Sequence, residues 1–296
     1  MTVTKLDRDT TVGLIAGWGR YPIVIAEALK AQGHRVVCVG IKQHADPSLR
    51  DICDVYSEIG LGKLGAAFRF FRKHSASTAT MAGKIHKVLI FKRFYWLTHF
   101  PDWGGLMTYF PFVFSKTRDW KDDTILGAIV EAFAQRGITF APATDFLPEL
   151  LVKTGVLTRR RPTSSELKDI EFGWQLAKEM GRLDVGQSVA VKERAILAVE
   201  AVEGTDKCIQ RASELCPDGQ FTLVKVAKPK QDMRFDVPTI GIGTMETLVE
   251  AGACLLAIEA DKTILLDEAE AIEFANRHKL CLVALSDAAG ELHDAA

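Results

Sequence analysis

The stretch from Lys225 to Gly241 sets cations and carboxylates side by side: Lys225, Lys228, Lys230 and Arg234 surround Asp232 and Asp236, with Gln231 between them. Carboxylates offer hard oxygens to Mg²⁺ or Mn²⁺, while lysine and arginine neutralise phosphate charge, so this is the residue mix of a metal–pyrophosphate site. Pro229, Pro238 and Gly241 keep the backbone out of regular helix, as in loops that carry sites. A little upstream, Glu203 and Asp206 flank Gly204 and the hydroxyl of Thr205. Asp184, Gln187 and Glu200 add polar groups beside apolar runs, and buried polar groups need partners. Standing alone, the charged run also reads as a solvated turn.

Two other places could touch a ligand. Gly17 and Gly19 follow an apolar run and precede a helical one, so backbone can approach a ligand and a helix start can favour an anion. A dinucleotide fingerprint wants a third glycine at position 22, where Pro22 stands, so NAD is disfavoured and a nucleotide or phosphate stays open. Asp122 and Asp123 open a helical stretch, as caps or as partners of a metal or ligand hydroxyl.

The segment 84–120 differs in kind. Eleven of the chain's 25 aromatics lie between Phe91 and Trp120, among them Phe94, Trp96, Trp103, Phe110 and Phe112. From Lys84 to Arg118 there are six Lys or Arg against one acid, Asp102. Rings mixed with cations suit a membrane interface or an acyl-chain pocket. A single nucleic-acid strand stacked on rings, or a core cluster with a basic face, would use a similar mix. The chain has no Gly-x-Ser-x-Gly elbow, no His-Glu-x-x-His pair, and no metal-ligand spacing among its seven histidines.

The elements that must position these residues read as α/β. Strand 12–16, helix 22–32 capped by Gly33, and strand 35–39 form a βαβ unit with a parallel, right-handed crossover. Helix 64–74, strand 78–82, helix 123–136 closed by Gly137, and strand 138–140 extend it. Beyond lie strands at 188–191, 195–200, 222–226, 254–258 and 263–266, with helices at 170–180, 244–251 and 268–278. This predicts a parallel-sheet domain over 1–137 and a mixed α/β catalytic domain over 138–296. The length of 296 residues suits two domains, and 48% apolar with 25% charged residues is globular composition. A net charge of −1 gives no general attraction to nucleic acid or acidic membranes. Six cysteines without a CxxC pair imply reduced thiols, and with no secretory signal or 18-residue apolar run the expected location is the cytoplasm.

Several blocks together resemble the UDP-2,3-diacylglucosamine pyrophosphatase family of lipid A synthesis, over nearly the whole chain. They are Gly13–Pro22, Met81–Lys84, Asp122-Asp123, Gly155–Thr158, Leu183–Gln187, Ala201–Asp206, Arg211-Ala212 and Lys228–Gly241. The resemblance implies a Rossmann-like N-terminal domain, a distinct C-terminal domain, and hydrolysis to UMP and 2,3-diacylglucosamine 1-phosphate with a divalent cation. It implies water attack on the sugar-side phosphorus and a peripheral protein at the inner face of the inner membrane; nucleic acid is not an expected partner, and a homo-oligomer is allowed. Departures are Trp18 for a small residue, Tyr21 for leucine, and Ile85-His86 after Gly83-Lys84.

Residues and resemblance together give a set of roles. Asp232 and Asp236, with Glu203 or Asp206, would hold Mg²⁺ or Mn²⁺. Lys225, Lys228 and Arg234 would stabilise phosphate charge, with Thr205 beside them. Gly17, Gly19, Lys84, Asp122, Asp123, Gln187 and Gln231 would contact the UDP-sugar; Phe94, Trp96, Trp103, Phe110 and Phe112 would contact acyl chains or the bilayer. The rival readings are a nucleotide-dependent oxidoreductase and a non-catalytic lipid- or nucleotide-binding protein on the same scaffold.

Overall fold

Val12, Leu14 and Ala16 alternate to one face of β1 (Thr11–Ala16) and are fully buried. On the other face Gly13 leaves room for Phe71 and Ala79, which a Cβ would meet at 3.1 Å. In the computed structural model, residues 10–85, 99–114, 122–229, 231–235 and 237–286 are described, apart from the side chains of 110–114 and 122–123. The chain divides into two compact units, Met1–Pro148 with Asp232–Asp236, and Glu149–Gln231 with Val237–Ala296.

In the first unit, α1 (Tyr21–Ala31) and β2 (Arg35–Ile41) follow β1, then α2 (Leu49–Ile52), β3 (Val55–Ile59), α3 (Leu64–Lys73) and β4 (Thr78–Ala82). Two longer helices, α4 (Trp103–Phe114) and α5 (Asp122–Ala134), precede β5 (Thr139–Phe140) and the short α6 (Ala143–Phe146). The five strands are all parallel in the order β3-β2-β1-β4-β5, so chain direction across the sheet reverses between β1 and β4. Strands covered on both faces read as continuous apolar runs, which is why Val36–Val39 is buried throughout. Phe68, Phe71, Phe133 and Phe140 lock α3 and α5 onto one face, Phe68 and Phe133 edge to face at 4.3 Å. Phe235, from the 232–236 stretch, packs against the same cluster.

In the second unit, β6 (Gly155–Val156), α7 (Ser164–Arg182), β7 (Ser188–Lys192), β8 (Ala195–Val199), α8 (Thr205–Leu215) and β9 (Thr222–Lys225) come first. They are followed by β10 (Thr239–Ile240), α9 (Ile242–Glu250), β11 (Leu255–Glu259), β12 (Ile264–Leu265), α10 (Glu268–Arg277) and β13 (Cys281–Leu285). The main sheet runs β6-β13-β11-β9-β7-β8, parallel at its centre and antiparallel at both sides; β10 and β12 form a separate parallel pair. A Thr163/Glu166 capping box starts α7, and Gly173 lets it lie close on Val191 and Val224. The predicted α/β architecture, parallel first and mixed second, is what is observed.

The sequence reading assigned no element at α2, β3, α4, α6, β6, α8 or β10. In β3 only Ile59 is buried, so its apolar signal is weak. In α4 two glycines and Pro111 mask an apolar helix. The buried stripe of α8 is Thr205, Cys208, Ile209 and Ala212, which has helical spacing but little hydrophobicity.

Candidate active site

The central strands of the second unit's sheet end at one edge, and in parallel sheets that carboxyl edge is where ligands are met. β9 ends there at Lys225 and β11 at Glu259, while antiparallel β7 begins there at Ser188, paired with Lys225. Each of these end residues is charged or polar, yet each is buried.

Lys225 is 4% exposed, and its ammonium donates to Thr205 Oγ1 at 2.7 Å and Ser188 Oγ at 3.4 Å, with Glu200 Oε2 at 4.0 Å. Thr205 in turn donates to Glu200 Oε1 at 2.9 Å. Burial pushes the Glu200 carboxyl up. The Lys225 charge, with hydrogen bonds from Ser188, Thr205 and the Gln187 backbone, outweighs that and holds it below the usual range. Lys225, Thr205 and Gln187, all predicted from sequence, thus meet around a carboxylate. Gly186 is what permits it, since a Cβ there would collide with the Glu200 carbonyl.

Beside this lies a second carboxylate, Glu259, with no exposed surface. Lys178 reaches both its oxygens at 2.7 Å, Lys262 reaches Oε1 at 2.8 Å, and the Ala227 N–H donates to Oε2 at 2.7 Å. The next residue, Lys228, pairs with Asp184 at 2.7 Å, and its backbone N–H donates to Gln231 Oε1 at 2.6 Å. Leu183 and Val185, flanking Asp184, and Val202, beside Glu203, are exposed apolar side chains. Sequence reasoning did not single out Glu259, Lys178 or Ser188. The available signal was an acid closing the apolar run Leu255–Ile258.

The other predicted residues are placed as follows. Glu203 pairs with Arg211 at 2.8 Å, and Asp206 stands exposed in the first turn of α8. In the first unit, Asp232 accepts from the Arg234 side chain at 2.6–3.1 Å and from its backbone N–H at 3.0 Å. Burial pushes the Asp232 carboxyl up, and Arg234 more than reverses it. Asp236, Phe94 and Trp96 lie outside the described residues, as do the side chains of Asp122, Asp123, Phe110 and Phe112, although α5 does begin at Asp122. Among the described residues no group of three or more His, Cys, Asp or Glu could hold a metal by itself. Mg²⁺, however, is commonly held by one or two carboxylates plus substrate phosphates, a demand that Asp232 with Asp236 fits in residue type.

At the carboxyl ends of β1 and β4, Gly17 N–H donates to Ala82 O at 2.8 Å, and Trp18 and Lys84 exchange backbone hydrogen bonds at 2.8 and 2.9 Å. A Cβ on Gly17 would sit 2.8 Å from Lys84 O, so chain-to-chain closeness already requires this glycine. Gly19 has φ +106° and open space around it. On α4, Trp103, Leu106 and Met107 are 75%, 44% and 55% exposed, and Phe100 just before it is 61% exposed. Its opposite face rests on α3 through Gly104 against Gly65. Asp102, the one acid between Lys84 and Arg118, accepts from the N–H groups of Gly65 and Ala66 at the start of α3, and of Gly105 in α4, at 2.8–2.9 Å. No described helix is long and apolar enough to cross a membrane.

Known families bear on this arrangement directly. The family model of the LpxI N-terminal domain matches residues 11–150, and that of the LpxI C-terminal domain matches 153–283. A curated relative, the UDP-2,3-diacylglucosamine pyrophosphatase LpxI of Caulobacter vibrioides, is 30% identical over 281 residues, covering 90% of this chain and 94% of its own. With both domain models matched in order and a relative aligned almost end to end, this chain belongs to the LpxI family.

Proposed function

We propose that the protein hydrolyses the pyrophosphate of UDP-2,3-diacylglucosamine in lipid A biosynthesis, giving UMP and 2,3-diacylglucosamine 1-phosphate. The observation that carries this is the nearly end-to-end similarity to a named pyrophosphatase of that substrate. In the proposed reaction water adds to the sugar-side phosphorus, the bond from that phosphorus to the bridging oxygen breaks, and UMP leaves with the bridging oxygen. Lys228 and Arg234 would exchange their carboxylate partners for phosphate oxygens and stabilise charge as it develops. Lys225 and Thr205 are buried, and in this reading they hold the sheet edge in shape. Asp232 and Asp236 would hold Mg²⁺ or Mn²⁺ together with the substrate's phosphates, where the ion neutralises charge and lowers the pKa of the attacking water. Glu203 and Asp206 are tested as ligands by titrating Mg²⁺ and Mn²⁺ into the UMP-release assay of their alanine variants.

The experiment is UMP release with Mg²⁺, with Mn²⁺ and with EDTA, in ¹⁸O-labelled water. Metal-dependent release with label in the lipid phosphate is expected. Label in UMP would overturn the attack site, and release undiminished by EDTA would overturn the cation requirement. No release from folded protein that still binds the substrate would favour a non-catalytic lipid-binding protein.

The proposal extends to location: a peripheral protein on the inner face of the inner membrane, held by α4. Trp103, Leu106 and Met107 form an apolar face that is exposed among the described residues, and the sequence from Lys84 to Arg118 carries six cations and one acid. That acid, Asp102, is engaged by backbone donors. Co-sedimentation with anionic phospholipid vesicles should fall in Trp103→Ser/Met107→Ser, and equal binding by the wild type and this variant would refute the assignment.

A further inference from the structure

After β9 ends at Lys225 the chain leaves the sheet, and Pro229 has no N–H with which to hold it. Something else must fix the peptide that presents Lys228. Glu259 and Lys178 do so from both sides: Glu259 Oε2 accepts from the Ala227 N–H at 2.7 Å, and Lys178 Nζ donates to the Ala227 carbonyl at 3.3 Å. The two side chains are themselves joined by a bidentate pair at 2.7 Å, so the three donors of the Lys178 ammonium match Glu259 Oε1, Glu259 Oε2 and Ala227 O. Lys262 also reaches Glu259, at Oε1 and 2.8 Å. A strand end that needed only stability would be served as well by apolar side chains, because desolvating an ion pair offsets most of its attraction. What this pair supplies is a fixed position for one peptide group.

We infer that Glu259 and Lys178 are positioning residues that hold the Ala227–Lys228 backbone so that the Lys228 ammonium stands where phosphate charge develops. The inference rests on the role proposed for Lys228. A buried clamp at the ends of β9 and β11 transmits rigidity from the sheet to a loop that leaves the ladder after the Val226 N–H donates to the Gln187 carbonyl at 3.0 Å. A lysine displaced by about 1 Å from its productive place loses much of its value to a transition state.

The test is a double-mutant cycle on UMP release by the full-length protein. Lys178→Met should lower kcat by at least about tenfold with KM changed less than about threefold. In a Lys228→Ala background it should add no further loss, because both substitutions act through one group. Lys178→Arg should restore most of the rate. Amide hydrogen exchange over 226–231 should quicken in Lys178→Met while the amides of β9 and β11 stay protected. Losses that multiply in the double variant, or a Lys178→Met with unchanged kcat, would overturn the inference. Should the wild type release no UMP, the proposed reaction fails and the clamp is judged by exchange alone. Unchanged exchange over 226–231 in Lys178→Met then overturns it.

Discussion

Replacing Lys225 with methionine keeps a long apolar stem and removes only the charge. The deleted ammonium lies 2.7 Å from Thr205 Oγ1, 3.4 Å from Ser188 Oγ and 4.0 Å from Glu200 Oε2. Since Lys225 and Glu200 are 4% and 8% exposed, the carboxylate left behind stays buried with only neutral donors. Breaking a buried pair this way costs about 3–5 kcal/mol, a large share of the roughly 5–15 kcal/mol that holds a domain together. For a unit of this size the melting temperature should fall by on the order of 10–15 °C. Urea denaturation of the wild type, Lys225→Met, Glu200→Gln and the double variant measures it. The double variant should be at least about 1.5 kcal/mol more stable than the sum of the single losses predicts.

The pH dependence sharpens this test. In the wild type the Glu200 carboxyl is held below its usual range, so its stabilisation is complete above about pH 4.3 and declines as pH falls through the lower folded value. Without Lys225, burial prevails and the folded pKa rises above the unfolded one. The penalty is then full at neutral pH and shrinks as pH falls through the raised value. The gap between variant and wild type should therefore narrow between pH 7.5 and pH 5. A loss under about 1 kcal/mol, or a gap independent of pH, would refute the structural role given to Lys225.

Three further outcomes follow from the geometry. Asp232→Asn keeps the shape of the side chain that Arg234 grips, and kcat should fall by about 100-fold or more with KM little changed; lost binding with turnover kept at saturation would sink the assignment. Asp102→Ala removes one carboxylate that caps both α3 and α4 and should cost about 1–3 kcal/mol at pH 7. Burial pushes this carboxyl up, but its backbone donors and Arg69 hold it below the usual range, so its contribution is full above about pH 4 and is lost as pH falls; a gap in urea melts as wide at pH 2.5 as at pH 7 would contradict this. Gly17→Ala forces a Cβ to 2.8 Å from Lys84 O, a backbone atom that cannot step aside, so stability should drop by about 1–3 kcal/mol with faster exchange at the Trp18 and Lys84 amides; an unchanged melting curve would count against the close approach.

What the sequence determined by itself is whatever local chemistry encodes. An apolar strand, a glycine turn, Pro22 at the helix start and Gly33 past its end define the first βα unit. Each signal acts within a few residues. The β-branched runs of the second half specify buried strands, and the Lys228–Gly241 run carries the family. Other features are silent until distant segments meet. α8 hides because its buried stripe is Thr, Cys, Ile and Ala, so only the contact with the sheet reveals a helix there. Asp102 reads as one acid among cations, and becomes a cap for two helices once the start of α3 is brought to it. Lys225 reads as a phosphate ligand, and becomes the buried partner of Glu200 because β7, β9 and α8 converge on it. Strand order decides which charges are desolvated and which partners satisfy them, and a periodicity counted along the chain carries no trace of that order.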